Sequence, residues 1–314
     1  MIYLKNLYQM LIAFCILSCN FYHIGVIYEM SGGMKMLYPL LFEPIHKKMV
    51  WGYESWDISC RPLEMSVVEN GPLAGKTFLE VIQQDPIAIL GTKTNEFPLL
   101  IKIIVANDDL SIQVHPDNDY AATHGFESGK SEMWYVLETP GKLIIGIKDG
   151  VTREQLKSYP MKSLNELVVK PGDMIDIKPG LVHAMIGGTA VAEIQQNSDV
   201  TFRLYDYGRK GLDGKPRELH IEHALAVTDF AGHIPKKVCS SIETPFFAVS
   251  KLEVAGEVLE STSPESFNIY TCVEGSCMIG SVELTNRRSV FVPSGIGSHI
   301  INGCAVLLKT TLGG

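Results

Sequence analysis

Downstream of Met36 the apolar positions come in runs of roughly five to eight residues, rich in Val, Ile and aromatics and separated by Gly, Pro and Asp. Such runs predict β-strands, and their density through residue 208 predicts an antiparallel architecture of the jelly-roll kind. The first strand is placed at Leu37–Phe42, and the apolar stretch Ile101–Val114 reads as one strand with Gln113 near its end. Further strands are expected at Met133–Glu138, at Asp173–Ile177 and in the VAEIQQ run that carries Glu193. Helical patterns intrude over Leu79–Leu90, over residues 152–167 and over Leu219–Val227. The second of these opens with Thr152 and Gln155 in capping-box spacing, in which each side chain satisfies the other residue's free backbone N–H.

The strand pattern also repeats. EMWYVLE (Glu132–Glu138) aligns without gaps to NIYTCVE (Asn268–Glu274), and PGDMIDIKPGLVH, ending at His183, resembles RRSVFVPSGIGSH, ending at His299. In the first of the longer pair Gly172 and Gly180 precede His183 in a spacing that resembles the second metal motif of the cupin superfamily. The expected fold is mainly β, two cupin-type jelly-roll units with short helical insertions. Residues 36–230 form the catalytic, metal-binding unit and residues 231–314 the second. Asn268 stands where the first unit has Glu132, and no Gln-x-His strand precedes it, so the second unit is expected to lack a metal site.

Candidate chemistry gathers in the first unit. Gln113 and His115 are an i, i+2 pair, and on a strand such a pair points to one face. Glu132 opens the next strand-like run and is expected on a neighbouring strand, while His183 follows the turn Lys178-Pro179-Gly180. Two imidazoles, a carboxylate and an amide oxygen suit Zn, Mn, Co or Fe with room for a substrate, and differ from a Cys-rich structural zinc site.

At 314 residues the chain suits about two domains. A formal charge of −8 argues against nucleic acid as a partner but leaves a small phosphorylated substrate open. Seven cysteines (15, 19, 60, 239, 272, 277, 304) form no CxxC pair, which predicts free thiols in a reducing compartment. The first 35 residues pull the other way: Met10–Leu17 resembles a signal-peptide core too short to span a bilayer, and Cys19 hints at a lipoprotein site. Residues 1–35 read either as an extension ahead of a start at Met34 or Met36 or as a signal-like segment, and the expectation is a cytoplasmic protein without membrane partners.

The longer motifs point to one family. ESWDIS (Glu54–Ser59), NGPLAGK (Asn70–Lys76), FPLLIK (Phe97–Lys102), LSIQVHPD (Leu110–Asp117), GKSEMWY (Gly129–Tyr135), EIQQNSD (Glu193–Asp199) and Arg203-x-Tyr-Asp-Tyr207 together resemble type I phosphomannose isomerase, in its short bacterial form, over roughly residues 36–314. The resemblance implies a zinc-dependent interconversion of mannose 6-phosphate and fructose 6-phosphate through an enediol. It implies one zinc ion per chain on Gln113, His115, Glu132 and His183, with Arg203 as the catalytic arginine and Ser111, Lys130 and Arg209 at the substrate phosphate. Glu193, ten residues before Arg203, is the candidate base, against the alternative of a structural carboxylate paired with a cation. Two departures stand out, Asp57 where Glu is expected and Gly208 where a bulkier residue is expected. An Fe(II) cupin oxygenase and a non-catalytic sugar-phosphate sensor are the competing readings, and the assembly is expected to be a monomer or homodimer.

Overall fold

Residues along the strand Glu132–Glu138 alternate between two different neighbours, and this alternation organises the molecule. The computed structural model describes residues 26–30, 33–232 and 234–314. Met10–Leu17, Cys15 and Cys19 lie outside the described residues, and the backbone of Val26–Met30 pairs antiparallel with Gly33–Leu37. The first unit is built from β1 (Ile45–Met49), β2 (Gly52–Ile58), β3 (Leu99–Ala106), β4 (Ile112–Val114), β5 (Glu132–Glu138), β6 (Lys142–Ile147), β7 (Leu164–Val168), β8 (Met174–Ile177), β9 (His183–Ala184), β10 (Ala190–Gln196) and β11 (Phe202–Tyr205), and is joined by β12 (Lys237–Val238) from the segment past residue 230. These form a seven-stranded sheet in the order β12-β8-β5-β10-β3-β2-β1 and a five-stranded sheet in the order β7-β6-β9-β4-β11. The second unit contributes β13 (Ser241–Glu243), β14 (Phe247–Ser261), β15 (Asn268–Ile279), β16 (Val282–Thr285), β17 (Ser289–Val292) and β18 (Ser298–Leu312).

The central strands of the seven-stranded sheet, β5, β10 and β3, are buried on both faces, which explains why they read as nearly continuous apolar runs. Trp134 and Val136 of β5 pack with Val191, Ile145 and Ile175 between the two sheets of the first unit. Met133 and Tyr135, on the opposite face, join Ile101, Ile103 and Ile194 against the aromatic core of the second unit around Phe267, Tyr270 and Phe291. Trp134 is only 1% exposed, and burying a side chain of that kind contributes on the order of 2–3 kcal/mol. The outer face of the five-stranded sheet is covered by the helices Arg153–Ser158 and Ile221–Val227 through Leu156, Ala224 and Leu225.

The two units also exchange strands. Leu40–Leu41 from the start of the first unit pairs with β17 of the second sheet, and β12, past residue 230, pairs with β8 of the first.

Several expected elements take a different form. Ile101–Val114 is two strands in different sheets, β3 and β4, because the turn at Asn107-Asp108-Asp109 carries the chain across: the Asn107 and Asp108 N–H groups donate to the Trp51 carbonyl and Asp109 Oδ1 accepts the Gly187 N–H. Consequently Glu132 does not neighbour Gln113 in one sheet but faces it from the other. The insertion at 152–167 opens as expected, with the Thr152/Gln155 capping box formed, yet Leu164–Val168 is strand β7, its alternating burial matched to β6. Leu79–Leu90 is two short helices, Phe78–Ile82 and Pro86–Leu90, because Pro86 has no N–H to continue the first and the Asp85 carboxylate caps the second at Ala88. The first strand at Leu37–Phe42 is split between the end of Gly33–Leu37 and Leu40–Leu41, with Pro39 between them.

Candidate metal centre and active-site cavity

The sheet registers set out two facing rows of polar side chains. On the five-stranded sheet Gln113 lies between His183 of β9 and Arg203 of β11. On the seven-stranded sheet Trp134, Glu193, Lys102 and Trp56 stand side by side across β5, β10, β3 and β2. His115 follows β4 directly, and Glu132, at the start of β5, reaches it from across the sandwich.

His115, Glu132 and His183 are all buried, and one ligand atom from each lies within 4.8 Å of the others. Each imidazole is fixed in the same way: Nδ1 donates to a backbone carbonyl, Val200 for His115 and Leu181 for His183, both at 2.8 Å. A carbonyl only accepts, so both Nδ1 atoms carry the hydrogen and both Nε2 lone pairs point inward. Each Nε2 is 3.5 Å from a Glu132 oxygen. Two lone pairs facing a carboxylate give it no proton to accept, and His115 Nε2 with both Glu132 oxygens lack any hydrogen-bond partner. Lys130 Nζ is 2.9 Å from Glu132 Oε2 but off the hydrogen-bonding direction. Buried acceptors converging with only a poorly directed ammonium beside them fit a divalent cation at this point. Gln113 stands beside the cluster: its amide lies 3.4 Å from His183 Nε2 and accepts from Ser111 Oγ at 3.2 Å, and turning the amide over exchanges its nitrogen and oxygen.

Burial pushes the His183 imidazole down to about 4, and burial with the Lys130 charge holds His115 well below its ordinary value, so both are neutral, as metal ligands require.

Beside this cluster a cavity of about 260 Å³ is lined by Gln113, Lys130, Lys102, Glu193, Arg203 and Arg217, among others. Lys102 is bracketed by two carboxylates, Glu193 at 2.9 Å and Glu54 at 3.5 Å. Each carboxylate is held by an indole N–H, Trp134 to Glu193 at 2.7 Å and Trp56 to Glu54 at 2.6 Å. Burial alone lowers the Lys102 ammonium, but Glu193 and Glu54 outweigh it and raise it, so Lys102 is charged. Burial and the nearby Glu132 charge raise the Glu193 carboxyl. Arg203 lines the cavity with a buried Nε that has no partner.

The residues expected at the phosphate are spread more widely. Lys130 lines the cavity at its metal end, Ser111 lies behind Gln113, and Arg209 is turned onto the Asp206 carboxylate at 2.6 Å and the Tyr207 ring. Arg217, which the sequence reading overlooked, reaches the cavity wall while also paired with Asp206 at 3.1 Å. Lys102, Glu54 and Trp134 were overlooked as well. Of the two departures, Gly208 follows Tyr207 in a stretch where both have positive φ, 56° and 69°, which glycine accommodates without strain. Asp57 points away from the cavity toward Ser289 of the second unit, where burial pushes its carboxyl up to about 7.

In the second unit the corresponding place is filled by hydrogen bonds. His299 Nδ1 donates to the Gly297 carbonyl at 3.0 Å, its Nε2 accepts from the Tyr270 hydroxyl at 2.9 Å, and Asn268 donates to that hydroxyl at 2.9 Å. A phenol joins the two side chains and leaves no unpaired donor set there.

Comparison with known proteins was consistent. The family profile described as phosphomannose isomerase type I, catalytic domain, matches residues 38–140. Over 305 residues the chain is 35% identical to the probable mannose-6-phosphate isomerase GmuF of Bacillus subtilis, covering 85% of this chain and 93% of the relative. It is 34% identical over 269 residues to the mannose-6-phosphate isomerase of Streptococcus mutans, covering 80% and 85%. The crystal structure of mannose 6-phosphate isomerase from Bacillus subtilis superposes with a TM-score of 0.78 at 29% identity, covering 87% of this chain and 99% of that one.

Proposed function

The chain belongs to the type I phosphomannose isomerases and is a mannose-6-phosphate isomerase, and from that premise we propose that it interconverts mannose 6-phosphate and fructose 6-phosphate with one zinc ion, moving a proton between C1 and C2 through an enediol. The observation that carries this reading is the set of unpartnered buried acceptors on His115 and Glu132 beside the cavity that Lys102, Glu193 and Arg203 line. Gln113, His115, Glu132 and His183 would hold the ion. When bound, it supplies a Lewis acid worth several kcal/mol to the substrate oxygens.

Glu193 is the proposed base. Its raised carboxyl is more basic than a solvated one, and the Trp134 N–H fixes Oε2 so that Oε1 faces Lys102. Lys102, kept charged by its two carboxylates, donates to the substrate oxygen that gains electron density as the proton leaves carbon. Arg203 supplies the second cation to that developing charge. The cations on the cavity wall, Lys47, Lys102, Lys130, Arg203 and Arg217, already outnumber Glu54, Glu193, Asp199 and the adjoining Glu132, and a dication adds to a field that draws an anionic sugar phosphate. Ser111, Lys130 and Arg209 are proposed for the phosphate, joined by Arg217. A phosphosugar substrate and the free Cys60, Cys239, Cys272, Cys277 and Cys304 fit a reducing cytoplasm. No helix among the described residues is long and apolar enough to cross a membrane.

The test is a coupled assay of mannose 6-phosphate turnover on protein stripped by chelator and then given zinc. Activity should vanish and return; full turnover by metal-free protein would sink the metal-assisted reading. Metal analysis after anaerobic purification separates zinc from Fe(II), and binding without turnover would mark a sensor.

A further inference from the structure

Arg203 lies on β11, the end strand of the five-stranded sheet, so its outward backbone groups need a partner other than β4. That partner is His220. Its backbone N–H donates to the Arg203 carbonyl at 2.8 Å, and its Nδ1 accepts the Arg203 N–H at 3.3 Å. One residue thus takes both groups, as an opposite residue on a further strand would. His220 occupies the N-cap position of the helix Ile221–Val227, where Ser, Thr, Asp or Asn is usual because the side chain caps the helix, yet it makes no side-chain cap bond. Its acceptor is committed to Arg203 instead. The inner side of β11 leaves room for such a clamp to matter: Arg203 stands opposite Gln113 but Tyr205 opposite Ile112, a shift in register that loosens the ladder at Arg203 itself.

We infer that His220 is a positioning residue of the isomerase reaction, holding the Arg203 backbone from the outer edge of the sheet so that the guanidinium keeps its place in the cavity. The inference rests on the role proposed above for Arg203. Displacing a catalytic group by about 1 Å costs on the order of 100-fold in rate. His220→Ala is therefore expected to lower kcat by about 10- to 100-fold, with KM for mannose 6-phosphate and bound zinc little changed. His220→Asn, whose Oδ1 lies where Nδ1 does, should recover most of the loss. The double variant with Arg203→Ala should be no slower than Arg203→Ala alone, because the clamp acts only through that residue. An equal further loss in the Arg203→Ala background, or wild-type kcat in His220→Ala, overturns the clamp. Wild-type kcat in Arg203→Ala itself overturns the role of the arginine instead. Should His220→Ala fail to fold, His220→Gln, whose acceptor lies one bond further out, takes its place against His220→Asn.

Discussion

The two site histidines are committed at Nδ1 and buried, and their neutrality has a measurable consequence. His183 has its pKa lowered from 6.5 to about 4 by burial, so the unfolded chain takes up a proton at a pH where the folded one does not. The stability this contributes to metal-free protein is complete above pH of about 6.5 and is lost as pH falls toward about 4, on the order of 3 kcal/mol for His183 alone. His115 is shifted in the same direction and adds to the loss. Denaturant melts of chelated protein across that range check it, and a flat profile would contradict a buried neutral pair. A second expectation concerns the phosphate: Arg217→Ala should raise KM roughly 10-fold or more, a larger effect than Arg209→Ala, because only Arg217 of the two lines the cavity. Equal effects in steady-state kinetics would contradict that. The candidate ligands were legible because Gln113 interrupts an apolar run, His115 and His183 each end one and Glu132 opens one. Lys102 carries a comparable signal, a lone ammonium inside LLIKIIVA. Arg217 carried none, since a turn rich in Gly, Asp and Pro gives no hint that Asp206 will draw it back to the cavity.

The turn before β9 ties the two histidine-bearing segments together. The Gly180 N–H donates to the His115 carbonyl at 2.9 Å, and its own carbonyl accepts from Asp229 at 2.9 Å. Gly180 has φ of 85°, and an added Cβ would stand 2.9 Å from the Val227 carbonyl oxygen. Gly180→Ala is expected to destabilise the protein by about 1–3 kcal/mol and to weaken metal retention, because strain at this turn pulls His115 away from His183. Thermal melts with metal analysis check both, and unchanged values would mean the turn is not a tie. Elements of this length were legible where period and punctuation agreed, as at the Thr152/Gln155 cap or the strand carrying Glu193. They failed where a run stayed apolar through a change of sheet. Nothing in the hydrophobicity of Ile101–Val114 reports that Asn107 and Asp108 bond to Trp51 and redirect the chain, and Leu164–Val168 is too short for alternation to outweigh the helical cap before it.

At the scale of the molecule, the internal repeat predicts an unequal pair. Zinc titration of metal-free protein should saturate at about one ion per chain, since Tyr270 already bridges Asn268 and His299 in the second unit; about two would contradict that assignment. The repeated strands β5 and β15 were legible in sequence, and they stand in different sheets. The interlocking of those sheets was not, because Leu40–Leu41 and Lys237–Val238 are too short to announce which sheet they join. Residues 36–230 expressed alone would lack β12 and would expose Ile101, Ile103, Met133 and Ile194, so that fragment is expected to aggregate and to be rescued by co-expression with residues 231–314. A soluble, active fragment would show that the shared core is dispensable. The order of synthesis gives the exchange a further meaning. The ribosome has released every proposed ligand and Arg203 well before it makes Ser298–Leu312, yet that late segment lies between two others in the sheet that shields the wide face of the catalytic layer. A nascent chain therefore carries its proposed set of chemical groups while it still lacks the wall behind them, and activity is expected only after Ser298–Leu312 has joined that wall.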